Sequence, residues 1–169
     1  MKLTIMLPID PTPQGRPRFT SRGGFSRAYM SPKDREYRDQ LEFLLKHAYK
    51  ASPVTYPVKV RIMFFVQKPK KSKYELPTFK MDIDNLQKHV LDAMNGIILE
   101  DDGQVIAVNA VKVFSTKGCI LLTIEEFNES DLDLLVAEAD RLLTGKALPS
   151  ESAFFDHASD DAGPQGSPH

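Results

Sequence analysis

The sequence has a single cysteine, Cys119, so no intrachain disulfide can form, and a reducing, cytoplasmic setting is the simplest expectation. It has no run of 18 apolar residues. Its apolar opening, residues 3–9, is closed by Asp10 and Pro11 and is too short for an export signal. Neither export nor a membrane partner is therefore expected. His157 and His169 stand too isolated to suggest a metal site, and there are no internal repeats. What remains is the composition of an ordinary globular chain of 169 residues, long enough to bury one sizeable core.

The net charge of −1 hides an asymmetry. Residues 1–80 hold 17 Lys and Arg against 6 Asp and Glu, whereas residues 81–169 hold 5 against 17. A basic half suggests a polyanionic partner, and the bland alternative is that the halves neutralise each other in the fold. Residues 11–31 sharpen the first reading. They form a breaker-rich stretch expected to be a loop, with Arg16, Arg18, Arg22 and Arg27 interleaved with Phe19, Phe25 and Tyr29 and no acid. Guanidinium forks pair with phosphates and aromatic rings stack on unpaired bases, so this loop is read as nucleic-acid-binding. A second basic turn, residues 68–73, adds Lys70, Lys71 and Lys73.

Periodicity places the elements. A strand is expected over 2–9, ending near a sheet edge at Pro8, and a helix from a Ser31 cap to about residue 50. Val58, Val60, Ile62, Phe64 and Val66 alternate with more polar neighbours and make the cleanest strand. Strands over 104–115 and 119–127 are expected to form a hairpin, followed by a helix capped by Ser130 and stopped at Gly145. The whole predicts a small α/β or α+β domain: a mixed sheet of about four strands packed with two to three helices. The domain would cover 1–127, an amphipathic helix 128–146, and a disordered tail 147–169 in which Phe154 and Phe155 are either a docking motif or simply exposed.

The chemistry concentrates in residues 80–105. Leu86, Val90, Ala93, Met94 and Ile97 have helical spacing, predicting a helix over 85–95 with Asp84 as its N-cap and a short strand at 97–99. Capping explains Asp84 but leaves Asp82 unexplained. Lys88 lies one turn above Asp84, and Asp92 one turn above Lys88, where an i,i+4 ion pair is its ordinary role. Asp101 and Asp102 follow, with Glu100 uncommitted. If Asp82, Asp84 and Asp102 converge they make an all-oxygen site suited to Mg²⁺, or Mn²⁺, rather than zinc. Such an ion can polarise a phosphodiester and activate water, with Lys88 placed to neutralise charge at the phosphate. Ligand spacing excludes an EF-hand. A helix of about 11 residues spans roughly 16 Å, so convergence needs the chain to reverse, which spacing leaves open.

The string Asp82-x-Asp84-Asn85-Leu86-x-Lys88, then Leu91-Asp92-Ala93, then Asp101-Asp102-x-Gln104-Val105, resembles the RusA family of Holliday-junction resolvases. Arg16-Pro17-Arg18, Tyr37-Arg38 and Lys112 add to the likeness, which covers about 1–127. The resemblance implies a homodimeric, Mg²⁺-dependent endonuclease making symmetric nicks in branched DNA. It implies Asp82, Asp84 and Asp102 as metal ligands, Lys88 as the active-site lysine, and Asp101 as a possible accessory. The competing expectations are a DNA-binding or regulatory protein on the same fold without catalysis, and another Mg²⁺-dependent phosphoryl-transfer enzyme.

Overall fold

A computed structural model describes residues 1–15, 18–22, 25–78 and 81–144. The chain divides into two compact units, Met1–Glu126 and Phe127–His169. The first is an α+β domain on a mixed four-stranded sheet, the class expected from the sequence. Its strands are β1 (Lys2–Leu7), β4 (Val58–Gln67), β5 (Val105–Ser115) and β6 (Cys119–Glu126), in the order β1-β6-β4-β5. Helices α1 (Pro32–Ala48) and α2 (Ile83–Met94) supply Tyr37, Leu41, Leu45, Leu86, Val90 and Met94 to the core on one face of that sheet. The strand side of the core is the alternating set Ile5, Leu7, Val60, Ile62, Phe64, Ile120, Leu122 and Ile124. Registers Leu7↔Ile120 and Phe64↔Ile120 put these residues in continuous cross-strand rows.

The expected hairpin of the last two strands does not form. β4 lies between them, parallel to β5 and antiparallel to β6. The strand with the most buried side chains takes a central place, where both its edges are paired. Residues 116–118 must then step across one strand, about 10 Å, which so short a connection can reach. Lys68 N–H donates to Ser115 O at 3.1 Å where that connection passes the end of β4. The apolar triplet at 97–99 is likewise not a strand. It is a buried turn after Gly96, whose φ of 70° suits glycine, joined to the loop before β4 by a single bridge, Val54↔Leu99.

The described residues within 11–31 are not all loop. They contain β2 (Arg18–Arg22) and β3 (Phe25–Tyr29), an antiparallel pair forming its own two-stranded sheet. A Gly-Gly pair between two short runs with aromatic residues is a hairpin signal, here obscured by the density of Pro and Gly before it. Arg16 lies outside the described residues. In the second unit, α3 (Glu129–Leu143) is capped by Asn128 rather than Ser130: Asn128 Oδ1 accepts from Asp131 N–H at 3.1 Å, and Asp131 Oδ2 accepts from Asn128 N–H at 3.0 Å. The tail from 145, with Phe154 and Phe155, lies outside the described residues. No helix among the described residues is long and apolar enough to cross a membrane.

The root of the β2–β3 arm is bolted to both helices. Tyr37 OH donates to Asp10 O at 2.9 Å and accepts from Thr12 N–H at 3.1 Å. Burial, against the hydrogen bonding of Thr12, pushes that phenol up to about 12. Thr12 O lies 3.0 Å from Nδ1 of the fully buried His89 on α2, so that nitrogen carries the proton. The other end returns at Ser31, the N-cap of α1, whose Oγ accepts from Asp34 N–H at 3.1 Å. Asp34 then closes the arm. Its Oδ1 accepts from Gly15 N–H at 3.2 Å and its Oδ2 from the Ser31 hydroxyl. A Cβ at Gly15 would stand 2.7 Å from Asp34 Oδ2, so the close approach needs glycine. Burial alone would raise the Asp34 carboxyl, but the Ser31 and Gly15 hydrogen bonds, with His89 and Lys33 nearby, hold it below its ordinary value.

Asp34 therefore stabilises the fold as a carboxylate above its unfolded pKa of about 3.9, and that contribution is lost as pH falls through the lower folded value. Asp34→Asn should be less stable by about 1–3 kcal/mol near neutral pH, with the difference from wild type narrowing in acid below about pH 4. Urea unfolding across that range measures it; a gap that stays constant into acid would contradict an ionised clamp.

Candidate active site

The candidate site is built on the start of α2. The helix begins at Ile83, two residues earlier than its apolar spacing suggests. Asp82 is thus the residue at the N-cap and Asp84 sits in the first turn, so the expected Asp84 cap is displaced by two positions. Neither acid is used for capping: the Asp82 side chain makes no cap hydrogen bond. Both carboxylates are exposed, and neither has a hydrogen-bond or ion-pair partner among the described residues. Free N–H groups and the helix dipole make this end locally positive, which favours carboxylates there without a protein cation beside them.

Two contacts fix this end in place. Lys112, on the core-facing set of β5, donates from Nζ to Met81 O, the carbonyl just before Asp82. Gln14 N–H, at the arm root, donates to Asn85 O at 3.0 Å. The visible signal for Lys112 in the sequence is a lone lysine in the set Val108, Ala110, Lys112, Phe114, where the other three are apolar.

Asp102 is displayed from a different support. It opens a short 3₁₀ helix, Asp102–Gln104, that packs against α2. Asp101 caps this turn, its Oδ1 accepting from Gly103 N–H at 2.7 Å, while Gln104 Oε1 accepts from Asp101 N–H at 2.9 Å. Gln104 Nε2 donates to Val54 O at 2.9 Å and Tyr56 O at 3.2 Å. Asp101 therefore has a structural task in this turn, and Asp102 is left exposed beside it. No three His, Cys, Asp or Glu side chains among the described residues gather closely enough to hold a metal ion. One chain thus offers Asp82 and Asp84 as a pair and Asp102 from a separate turn. As unpartnered, exposed oxygen donors they fit a hard divalent cation in kind.

Lys88 stands one turn above Asp84, with its side chain 61% exposed and Nζ 3.0 Å from Asp92 Oδ1. Asp92 is only 17% exposed and also takes Gln14 Nε2 on its other oxygen at 3.2 Å, a second partner that spacing on one helix does not reveal. The register of the arm pairs Arg18 with Tyr29, Thr20 with Arg27 and Arg22 with Phe25, so the three arginine positions fall in one alternating set of the hairpin. Lys70, Lys71 and Lys73 are exposed in the turn after β4.

A family model described as endodeoxyribonuclease RusA matches residues 8–125, a span that carries the arm, both acid groups and Lys88. An uncharacterized protein, YqaN, of Bacillus subtilis (strain 168) is 29% identical over 129 residues, covering 69% of this chain and 91% of that protein. The crossover junction endodeoxyribonuclease RusA of Escherichia coli (strain K12) is 35% identical over 103 residues, covering 59% of this chain and 78% of that protein. The protein of the same name from Shigella sonnei (strain Ss046) matches to the same extent. With the family pattern spanning most of the first unit, the chain belongs to the RusA endodeoxyribonuclease family.

Proposed function

We propose that this protein is a structure-selective endodeoxyribonuclease that resolves four-way DNA junctions as a homodimer, each copy making one of two symmetric nicks. The observation that carries the reading is the family match over 8–125, which takes in every residue the chemistry needs. Asp82, Asp84 and Asp102 would hold Mg²⁺, with Mn²⁺ as a substitute, and Asp101 would be accessory to them through the turn it caps. A divalent ion bound there supplies polarisation of the scissile phosphate and a more acidic attacking water. Lys88 offsets charge that builds on the phosphate. Arg16, Arg18, Arg22 and Arg27, with Lys70, Lys71 and Lys73, bind backbone phosphates and hold the branch open. Because the acid groups of a single chain do not gather into a three-ligand set among the described residues, in this reading their exposed side chains close around the ion when it and the DNA bind. A DNA substrate supports a cytoplasmic setting for the enzyme.

The same dispersal of the acids favours one alternative, a DNA-binding or regulatory protein without catalysis. A labelled four-way junction and a linear duplex, each with and without Mg²⁺, separate the two. The proposed enzyme nicks only the junction and only with the ion. Asp82→Asn should lower nicking by about 10²-fold or more while junction binding is kept, since the variant removes a ligand and not the DNA surface. Wild-type rates in that variant would remove Asp82 from the site.

Replacing Arg16 and Arg18 with Ala should weaken junction binding and flatten its salt dependence by about 0.9 for each phosphate no longer neutralised. Titrating binding against salt measures the slope, and a slope equal to wild type would take the arm off the phosphate backbone.

A further inference from the structure

We propose that Asp92 is a positioning residue, setting Lys88 from the root of the basic arm; the proposal rests on the reading that Lys88 acts at the phosphate. The geometry differs from an ordinary surface pair in three ways. Asp92 is 17% exposed and Lys88 61%, so the carboxylate is the fixed partner and the ammonium the mobile one. The carboxylate is also shared: Oδ1 takes Lys88 Nζ at 3.0 Å, and Oδ2 takes Gln14 Nε2 at 3.2 Å. Gln14 in turn is held to the same helix by its N–H on Asn85 O at 3.0 Å and directly precedes Gly15, whose N–H rests on Asp34.

The Gln14 amide supports the assignment. Its Oε1 is buried without a hydrogen-bond partner among the described residues, while its Nε2 is committed to Asp92. Turning the amide over would aim an oxygen at a carboxylate, so the charge of Asp92 keeps the amide oriented despite the unsatisfied oxygen. Charge on Asp92 thus organises two groups at once, the arm root and Lys88. While paired, Lys88 contributes little net charge to DNA and is held one turn above Asp84. It is delivered to the phosphate from a set position rather than from a free four-carbon stem. An exposed i,i+4 pair alone would do little of this, because neither partner is otherwise anchored.

The test uses full-length protein with Asp92→Asn, Lys88→Ala and both together. One readout is the salt dependence of binding to a labelled four-way junction without metal; the other is single-turnover nicking with Mg²⁺. Asp92→Asn keeps the shape and an acceptor for Gln14 but frees Lys88. The slope should steepen by about one as one more phosphate is neutralised, while nicking slows about 10-fold or more because the ammonium is no longer placed. A defect in folding would not tighten the salt dependence while slowing the reaction. In the Lys88→Ala background the same substitution should leave the slope unchanged and slow nicking much less, through the Gln14 contact alone, and Asp92→Glu should stay close to wild type in both readouts. Gln14→Met, which leaves the Lys88 pair but removes the second anchor, should slow nicking severalfold at an unchanged slope.

Equal effects of Asp92→Asn with and without Lys88 would overturn the proposal, as would wild-type slope and nicking in Asp92→Asn. Wild-type nicking by Gln14→Met would remove the link to the arm. If Lys88→Ala itself nicks normally, the fault lies in the role given to Lys88, and the salt slope alone then decides whether Asp92 holds it.

Discussion

The positions of Asp82, Asp84 and Lys88 ride on where α2 begins. Its apolar stripe fixes the rotation of the helix: Leu86, Val90, Ala93 and Met94 are all fully or nearly fully buried against the sheet. Burying such side chains is worth about 1.5–3 kcal/mol each for the larger ones, so the helix cannot turn to present another face. Lys112 from β5 and Gln14 from the arm root then fix its first turn by holding the carbonyls of Met81 and Asn85. With rotation and start both set, Asp82, Asp84, Lys88 and Asp92 have no freedom left except in their own rotamers. Asp92 gives up that freedom as well, because each of its oxygens has a partner.

The parts legible in the sequence are those set by local period. Alternation over β4 and the three-four spacing of α2 follow from burying one face, and those residues are buried. What stayed hidden was set by tertiary competition. Nothing in residues 104–127 shows that β4 will enter between two strands that are neighbours in sequence, because pairing of a half-buried strand is decided by the whole sheet. The site was legible in residue type and not in geometry. Asp82 and Asp84 are both plausible caps, and the helix starts two residues early because Ile83 and Asp84 can be helical as readily as Asn85. Asp101 and Asp102 look alike in sequence, yet Gly103 and Gln104 divide their tasks by bonding to Asp101. The bond from Gln14 to Asp92 joins residues 78 apart, beyond the reach of any local pattern.

The asymmetry of charge along the chain acquires a spatial meaning from these contacts. In the proposed reading, Asp82, Asp84 and Asp102 meet a phosphodiester that they repel, and the repulsion must be offset near the point of contact. Cations at long range are screened beyond about 8–10 Å at physiological salt. The arm answers this need because its root is hydrogen-bonded to the very helix that carries the acids: Thr12 to His89, and Gln14 to Asn85 and Asp92. A basic arm tethered elsewhere would attract DNA without registering it on Asp82 and Asp84. Attachment through buried His89 and Asp34, rather than through surface ion pairs, would keep that geometry while salt weakens the proposed hold of the arm on DNA. On the proposed reading, recognition is tunable by ionic strength while the geometry that joins the arm root to α2 is not.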